Sequence, residues 1–204
     1  MVFIDNLPMC LFAASFSAIL VLYMTLGTFY KYRKGTKISF ECIESGILPL
    51  SVLGVFMLIM GIVGELAWPL PGSYNILFFD PLVMLGIVLI SFSLAVVYKK
   101  KTKYAGILSL LSGFVVLLYG FTGYGLGMTS SPIVLLGMYV SFGISGILAY
   151  PVTLLFDMLS GGERHASRLW GIVLVLFCIF LILAVLSSAA TGALAIPAHL
   201  LSAP

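Results

Sequence analysis

The sequence predicts an all-α fold, a polytopic membrane bundle of six transmembrane helices with both termini outside, in a single integral membrane domain over residues 1–204. Three observations predict it. The chain is 62% hydrophobic and only 8% charged, with a mean hydropathy of +1.22, whereas a soluble domain carries about a quarter charged residues. Six apolar runs each reach the roughly 20 residues needed to cross a hydrocarbon core. All ten lysines and arginines fall in alternate connections between those runs. In lipid an isolated segment satisfies its backbone polar groups only as a helix, and a barrel would show short alternating strands instead.

The first run, Leu7–Tyr30, follows Met1 to Asn6, which lacks the basic region of a cleavable signal. The basic connection Lys31–Cys42 carries Lys31, Arg33, Lys34 and Lys37. The second run, Ile43–Gly64, contains Pro49, which predicts a kink. Glu65–Asp80 then separates it from the third run, Phe78–Tyr98, which overlaps its last residues. This stretch cannot be helix throughout, because Pro69 and Pro71 remove backbone donors and Gly72 favours a turn. Lys99–Lys103, with four lysines, leads to the fourth run, Tyr104–Leu126. Gly127–Pro132 joins that to the fifth, Ile133–Phe156, in which Pro151 predicts a second kink. The connection Asp157–Arg168 holds Arg164 and Arg168, and its Gly161-Gly162 pair is expected to end the fifth helix. The sixth run is Leu169–Leu194.

The basic residues occupy the first, third and fifth connections, while the other side carries Asp5, Glu65, Asp80 and His199. The positive-inside rule then puts the chain in the cell membrane with its basic connections in the cytoplasm. The basic clusters read as topology determinants and contacts to anionic headgroups, so bound membrane lipids are expected. With no soluble surface, nucleic-acid binding is not expected.

Glu65–Asp80 is where chemistry concentrates. It holds two of the seven acids, one of the two tryptophans and one of the two asparagines, and its candidates for a partner or functional loop are Glu65, Trp68, Tyr74, Asn75 and Asp80. Acids at membrane depth are costly and often functional, and these two stand to hold a proton, cation or partner. The alternative for Asp80, which precedes Pro81, is a helix N-cap with proline at the first helical position. Trp68 and Tyr74 also read as interface-belt aromatics. Tyr23, Tyr119, Tyr124, Tyr139 and Tyr150 are phenols within or near the bundle, whose hydroxyls need carbonyl partners or serve a quinone or lipid headgroup.

Gly137, Ser141, Ser145 and Ala149 form a helix-packing stripe at four-residue spacing in the fifth run. Ala105, Ser109 and Gly113 do the same in the fourth, and such stripes let backbones approach closely, within the bundle or against another subunit. The only histidines, His165 and His199, lie outside the runs, and Cys10, Cys42 and Cys178 have no paired spacing. No cofactor, haem or metal site is therefore expected, and no nucleophile–base pair marks an enzyme. The chain has no glutamine and few asparagines, a composition that thermophile proteins favour.

The string Trp68-Pro69-Leu70-Pro71-Gly72-Ser73-Tyr74-Asn75-Ile76, leading to a span with Gly86, resembles an archaeal multi-pass membrane-protein family catalogued as a domain of unknown function. The resemblance implies an archaeal origin and a single domain, with this loop as the family's distinguishing feature. It carries no activity over. On the residues themselves, a non-catalytic accessory subunit of a larger membrane complex, such as a respiratory one, fits best, with other membrane subunits as partners. A transporter or channel for protons or small solutes, with Glu65 and Asp80 at its mouth, is the alternative.

The topology has a direct test. A cysteine at Lys101 should react with membrane-impermeant reagents only from the cytoplasm, and one at Ser73 only from outside. The reverse pattern would refute the orientation.

Overall fold

The computed structural model describes residues 6–35, 40–161 and 167–201. Asp5, Lys37, Arg164 and His165 lie outside the described residues, as does the side chain of His199. The described residues form six helices and no strand: α1 (Leu7–Arg33), α2 (Glu41–Ala67), α3 (Tyr74–Val97), α4 (Lys103–Gly125), α5 (Pro132–Ser160) and α6 (Arg168–Leu201). All six are long and apolar enough to cross a membrane, as the hydropathy pattern predicts. The antiparallel order puts Glu65 and Asp80 at one end, the acidic end. Lys31–Lys34 and Lys99–Lys103 sit at the other, the basic end.

Helix ends in an apolar medium leave carbonyls with no water to meet them, so each must be closed by the chain. α4 closes with Gly127 in the left-handed region (φ 61), while Gly127 N–H donates to Tyr124 and Met128 N–H to Gly123. That pair of bonds is the Schellman arrangement, for which glycine suits the backbone. α3 ends with the same bond pair, but Lys99 (φ 50) holds the left-handed position. α2 ends on Trp68 (φ 49), whose N–H donates to Gly64 O at 3.0 Å. Pro69 follows and has no N–H for a second bond. Pro49, Pro81, Pro151 and Pro197 all lie inside helices.

The N-terminus of α4 is closed from another helix. Asp157 belongs to the last turns of α5 rather than to the connection after it. Its Oδ1 accepts from Thr102 N and Thr102 Oγ1, each at 2.9 Å, and its Oδ2 accepts from Lys103 N at 2.9 Å. A carboxylate at a helix N-terminus meets both orphan donors and the positive end of the dipole.

Each helix packs on its two neighbours in sequence, and α6 packs back on α1, so the six form a closed ring, with a minor contact of α1 to α3. The closest pairs, α4 with α5 and α2 with α3, depend on glycine. Gly106, Gly113 and Gly120, seven residues apart, share one face of α4 against α5. A Cβ on Gly113 would come 2.5 Å from Gly143 O and 2.9 Å from Ile147 N. Gly54, Gly61 and Gly86 bring α2 and α3 together likewise, a Cβ on Gly86 falling 2.7 Å from Leu58 N. At Gly113 and Gly86 these neighbouring atoms are backbone and cannot swing aside, and close van der Waals packing is the main attraction between helices in lipid.

Gly113→Ala should therefore destabilise the bundle by about 1–3 kcal/mol, the usual cost of overpacking. Gly137 has nothing within 4 Å of its Cβ position. Gly137→Ala should be neutral or stabilise by up to about 1 kcal/mol through helix propensity. Thermal unfolding of both variants in one detergent checks the contrast.

Candidate functional site

Asn75, in the first turn of α3, organises the acidic-end loop. Its side chain is fully buried (0% exposed). Nδ2 donates to Gly64 O at 3.0 Å and reaches Glu65 Oε1 at 3.5 Å. Oδ1 accepts from Leu70 N at 3.3 Å. One amide thus ties the end of α2, the loop backbone and the start of α3 together. Leu70 plugs the loop into the core, buried in one cluster with Phe79, Leu82 and Met57, and Tyr74 packs against that cluster. Gly72 (φ 56) makes the turn, and Tyr74 N–H donates to Pro71 O. Trp68 stays 47% exposed beside this clasp.

Asp80 does not cap α3. The helix begins at Tyr74, so Asp80 and Pro81 lie inside it, and the N-cap residue is Ser73, which makes no side-chain cap bond. The Asp-Pro pair follows a local rule, but the burial of Asn75 draws the helix start earlier than Phe78. Asp80 Oδ2 instead accepts a hydrogen bond from the Tyr119 hydroxyl of α4. Glu65 interacts electrostatically with Asp80, and Tyr119 with both acids. The Tyr139 hydroxyl of α5 donates to Leu77 O of α3. Asp80 and Tyr119 therefore join α3 to α4 at the acidic end, with the Glu65 carboxylate of α2 held apart from them on Asn75. Among the described residues no three His, Cys, Asp or Glu side chains group so as to hold a metal.

The stripe on α5 splits. Gly137 faces open space. Ser141 and Ser145 are buried within the chain, and Ala149 packs on the cluster of Ala18, Phe177 and Leu181 from α1 and α6. Contact with α4 is made by Gly143 and Gly146.

Inside the ring the open space falls into two pockets, an acidic-end lobe and a basic-end lobe. The acidic-end lobe, about 110 Å³, lies among α1, α3, α4 and α5 and is lined by such residues as Leu82, Val116, Met138 and Tyr139. The basic-end lobe, about 160 Å³, reaches all six helices and includes Ser145, Thr153 and Phe177. Leu85, Val88, Ser109, Phe142 and Gly146 line both and stand between them. Phe142 packs against all three core clusters.

Sequence reasoning named Glu65, Trp68, Tyr74, Asn75 and Asp80 but not how they divide. Asn75 makes the clasp, with Glu65 on its amide and Tyr74 in its packing, Trp68 stays exposed beside it, and Asp80 binds Tyr119. Leu70 and Asp157 were not singled out. A lone leucine between two prolines was the available signal for the first, while nothing local marks the second, whose partner lies 55 residues away.

Asn75→Ala would leave the buried Leu70 N–H unpaired, and one unsatisfied buried group costs about 1–3 kcal/mol. The expected outcome is a lower melting temperature together with faster amide exchange over residues 66–74. Unchanged exchange there would show that the clasp does not hold the loop.

The sequence profile of a family described as a protein of unknown function, DUF981, matches residues 1–202. No curated protein matches the chain, and no solved structure does.

Proposed function

The chain belongs to DUF981, a family of proteins of unknown function, and we propose that this integral membrane protein is a non-catalytic accessory subunit that docks a membrane partner through its acidic-end loop. One observation carries the reading: a bulky, half-exposed Trp68 is held in the left-handed region by a clasp built on a buried asparagine. That conformation costs a residue with a Cβ roughly 1–2 kcal/mol. Strain of this kind persists where surrounding structure over-determines it, and it clusters at recognition sites. Tryptophan is also the residue type most enriched at binding hot spots. A preformed loop gives a partner its contact without an ordering cost. The connections 68–73, 98–102 and 126–131 are short, so such a partner meets the chain in or at the membrane. In a respiratory assembly the chain would serve as a scaffold.

A second reading, transport of a proton or small solute, draws on Glu65 and Asp80 at the acidic end and on the two pockets within the ring. Neither pocket is lined by Asp, Glu, Lys, Arg or His, which weighs against a charged cargo.

Gentle native purification of the tagged chain, followed by identification of co-purifying chains, tests the first reading. A fixed membrane partner is expected in stoichiometric amount. Trp68→Gly, which relieves the backbone, should keep the melting temperature and lose most of that partner. A solitary chain, or full retention by the variant, would refute the proposal.

A further inference from the structure

Buried hydroxyls in this bundle normally fold back on their own helix. Thr25 donates to Val21 O, Thr28 to Met24 O, Ser141 to Gly137 O and Ser188 to Ala184 O. This is the inexpensive solution in lipid, because it satisfies the hydroxyl without a partner helix. Ser109 and Ser112 of α4 depart from it together: among the described residues their hydroxyls meet no hydrogen-bond partner. Neither is a sealed atom, as the unpartnered Ser93 Oγ, Thr129 Oγ1 and Ser145 Oγ are. Both hydroxyls keep accessible surface, and both residues line the acidic-end lobe. Three residues apart on a helix, they share one face. They lie about 9 and 14 Å along α4 from Lys103, at about 1.5 Å per residue, within a hydrocarbon layer about 30 Å thick.

We propose that the acidic-end lobe is a binding site for a neutral aliphatic lipid whose one polar group is a carbonyl, such as a long-chain ketone, and that this oxygen accepts from Ser109 Oγ and Ser112 Oγ.

Position, chemistry and size select this class. The seam between α3 and α4 is shut at its acidic end, where Tyr119 binds Asp80 and Leu77 Cδ1 lies 3.2 Å from the Cβ position of Gly123. Further along, half-buried Met84, Leu85 and Val88 of α3 and Ser112 and Val116 of α4 line the lobe from its two sides. A lipid therefore enters sideways from the bilayer, through this seam. The lining holds no Asp, Glu, Lys, Arg or His, so an ionised headgroup would lie unpaired at a depth that penalises charge. That excludes phospholipids and fatty acids. The two serines offer two donors on one face, and a carbonyl oxygen has two lone pairs to receive them. An alcohol brings a donor of its own, which must either displace one of these bonds or go unpaired. Apolar cavities of about 150 Å³ hold one benzene ring, so a lobe of about 110 Å³ takes a carbonyl with its adjoining methylenes rather than a ring. The rest of the chain lies in the seam and the bilayer. The proposal stands independently of the docking role of the acidic-end loop.

The test uses the whole chain in nanodiscs of a dialkyl-ether phosphatidylcholine, which contributes no carbonyl band, with 9-heptadecanone labelled by carbon-13 at its carbonyl. Infrared spectra should show a saturable population, stoichiometric with the chain, whose carbonyl stretch lies below that of the ketone in empty nanodiscs. Unlabelled ketone should displace it, while heptadecane and 9-heptadecanol should compete poorly. Ser109→Ala and Ser112→Ala remove groups that bond nothing within the chain, so both variants should keep the melting temperature. Each should weaken ketone binding about fivefold, the weight of one neutral hydrogen bond, and the double variant should lose the shifted band. Val116→Phe, which fills the lobe, should abolish saturable uptake. An unshifted band in the unaltered chain, as when the hydroxyls hold only water, would overturn the proposal. So would a shifted band retained by the double variant, or competition by the alkane or the alcohol equal to that of the ketone.

Discussion

A bilayer offers no water to a backbone group that loses its helical partner, and the ends of these helices are built around that constraint. Where the chain leaves α2, three groups need partners at once: the last carbonyls of α2, the N–H groups of a proline-rich turn, and the entry to α3. Asn75 serves them with one buried amide. Where α4 begins, Asp157 supplies its caps from the neighbouring helix. Each solution also holds two elements at fixed separation. The polar bonds that make an end tolerable in lipid therefore double as the clasps that keep it rigid.

Glycine sets the spacing between those ends. α2 with α3 and α4 with α5 approach until backbone meets backbone, and this intimacy is confined to pairs. A helix pressed that closely to one neighbour has larger side chains left for the others. The looser seams joining α1 to α2 and α3 to α4 close the ring without filling its middle. Phe142 is the exception, reaching inward far enough to touch all three core clusters. The space left inside the ring follows from where the glycines draw the helices together.

The spans and the segregation of charge were legible because they rest on averages over many residues, which a few wrong neighbours cannot disturb. The turn at Gly72 was legible for the opposite reason, as one residue nearly dictates it. What failed lay between these scales. The Asp80-Pro81 pair spelled a helix start correctly by local rules, yet α3 starts at Tyr74 because Asn75 is more valuable buried against α2. The four-residue stripe on α5 divides, with Gly137 in open space, Ser141 and Ser145 buried and Ala149 against α1 and α6. The seven-residue series Gly106, Gly113 and Gly120 marked the true contact with α4. Tyr119 with Asp80 and Asp157 with Thr102 are pairings of distant residues, and no single-sequence periodicity carries them.

The two ends of the molecule solve the same problem with different residues, and the difference bears on function. At the basic end the left-handed residue closing α3 is Lys99, an exposed lysine among lysines. A charged side chain there gains from water and headgroups whatever its backbone costs. At the acidic end the corresponding residue is Trp68, beside Leu66, which is 83% exposed. An interface aromatic could sit on either side of the turn without strain, since the membrane belt demands only depth. The left-handed backbone fixes direction as well as depth, and the Asn75 clasp keeps that direction from relaxing. The loop thus presents Trp68 in one fixed direction, and this is the feature on which the proposed docking role rests.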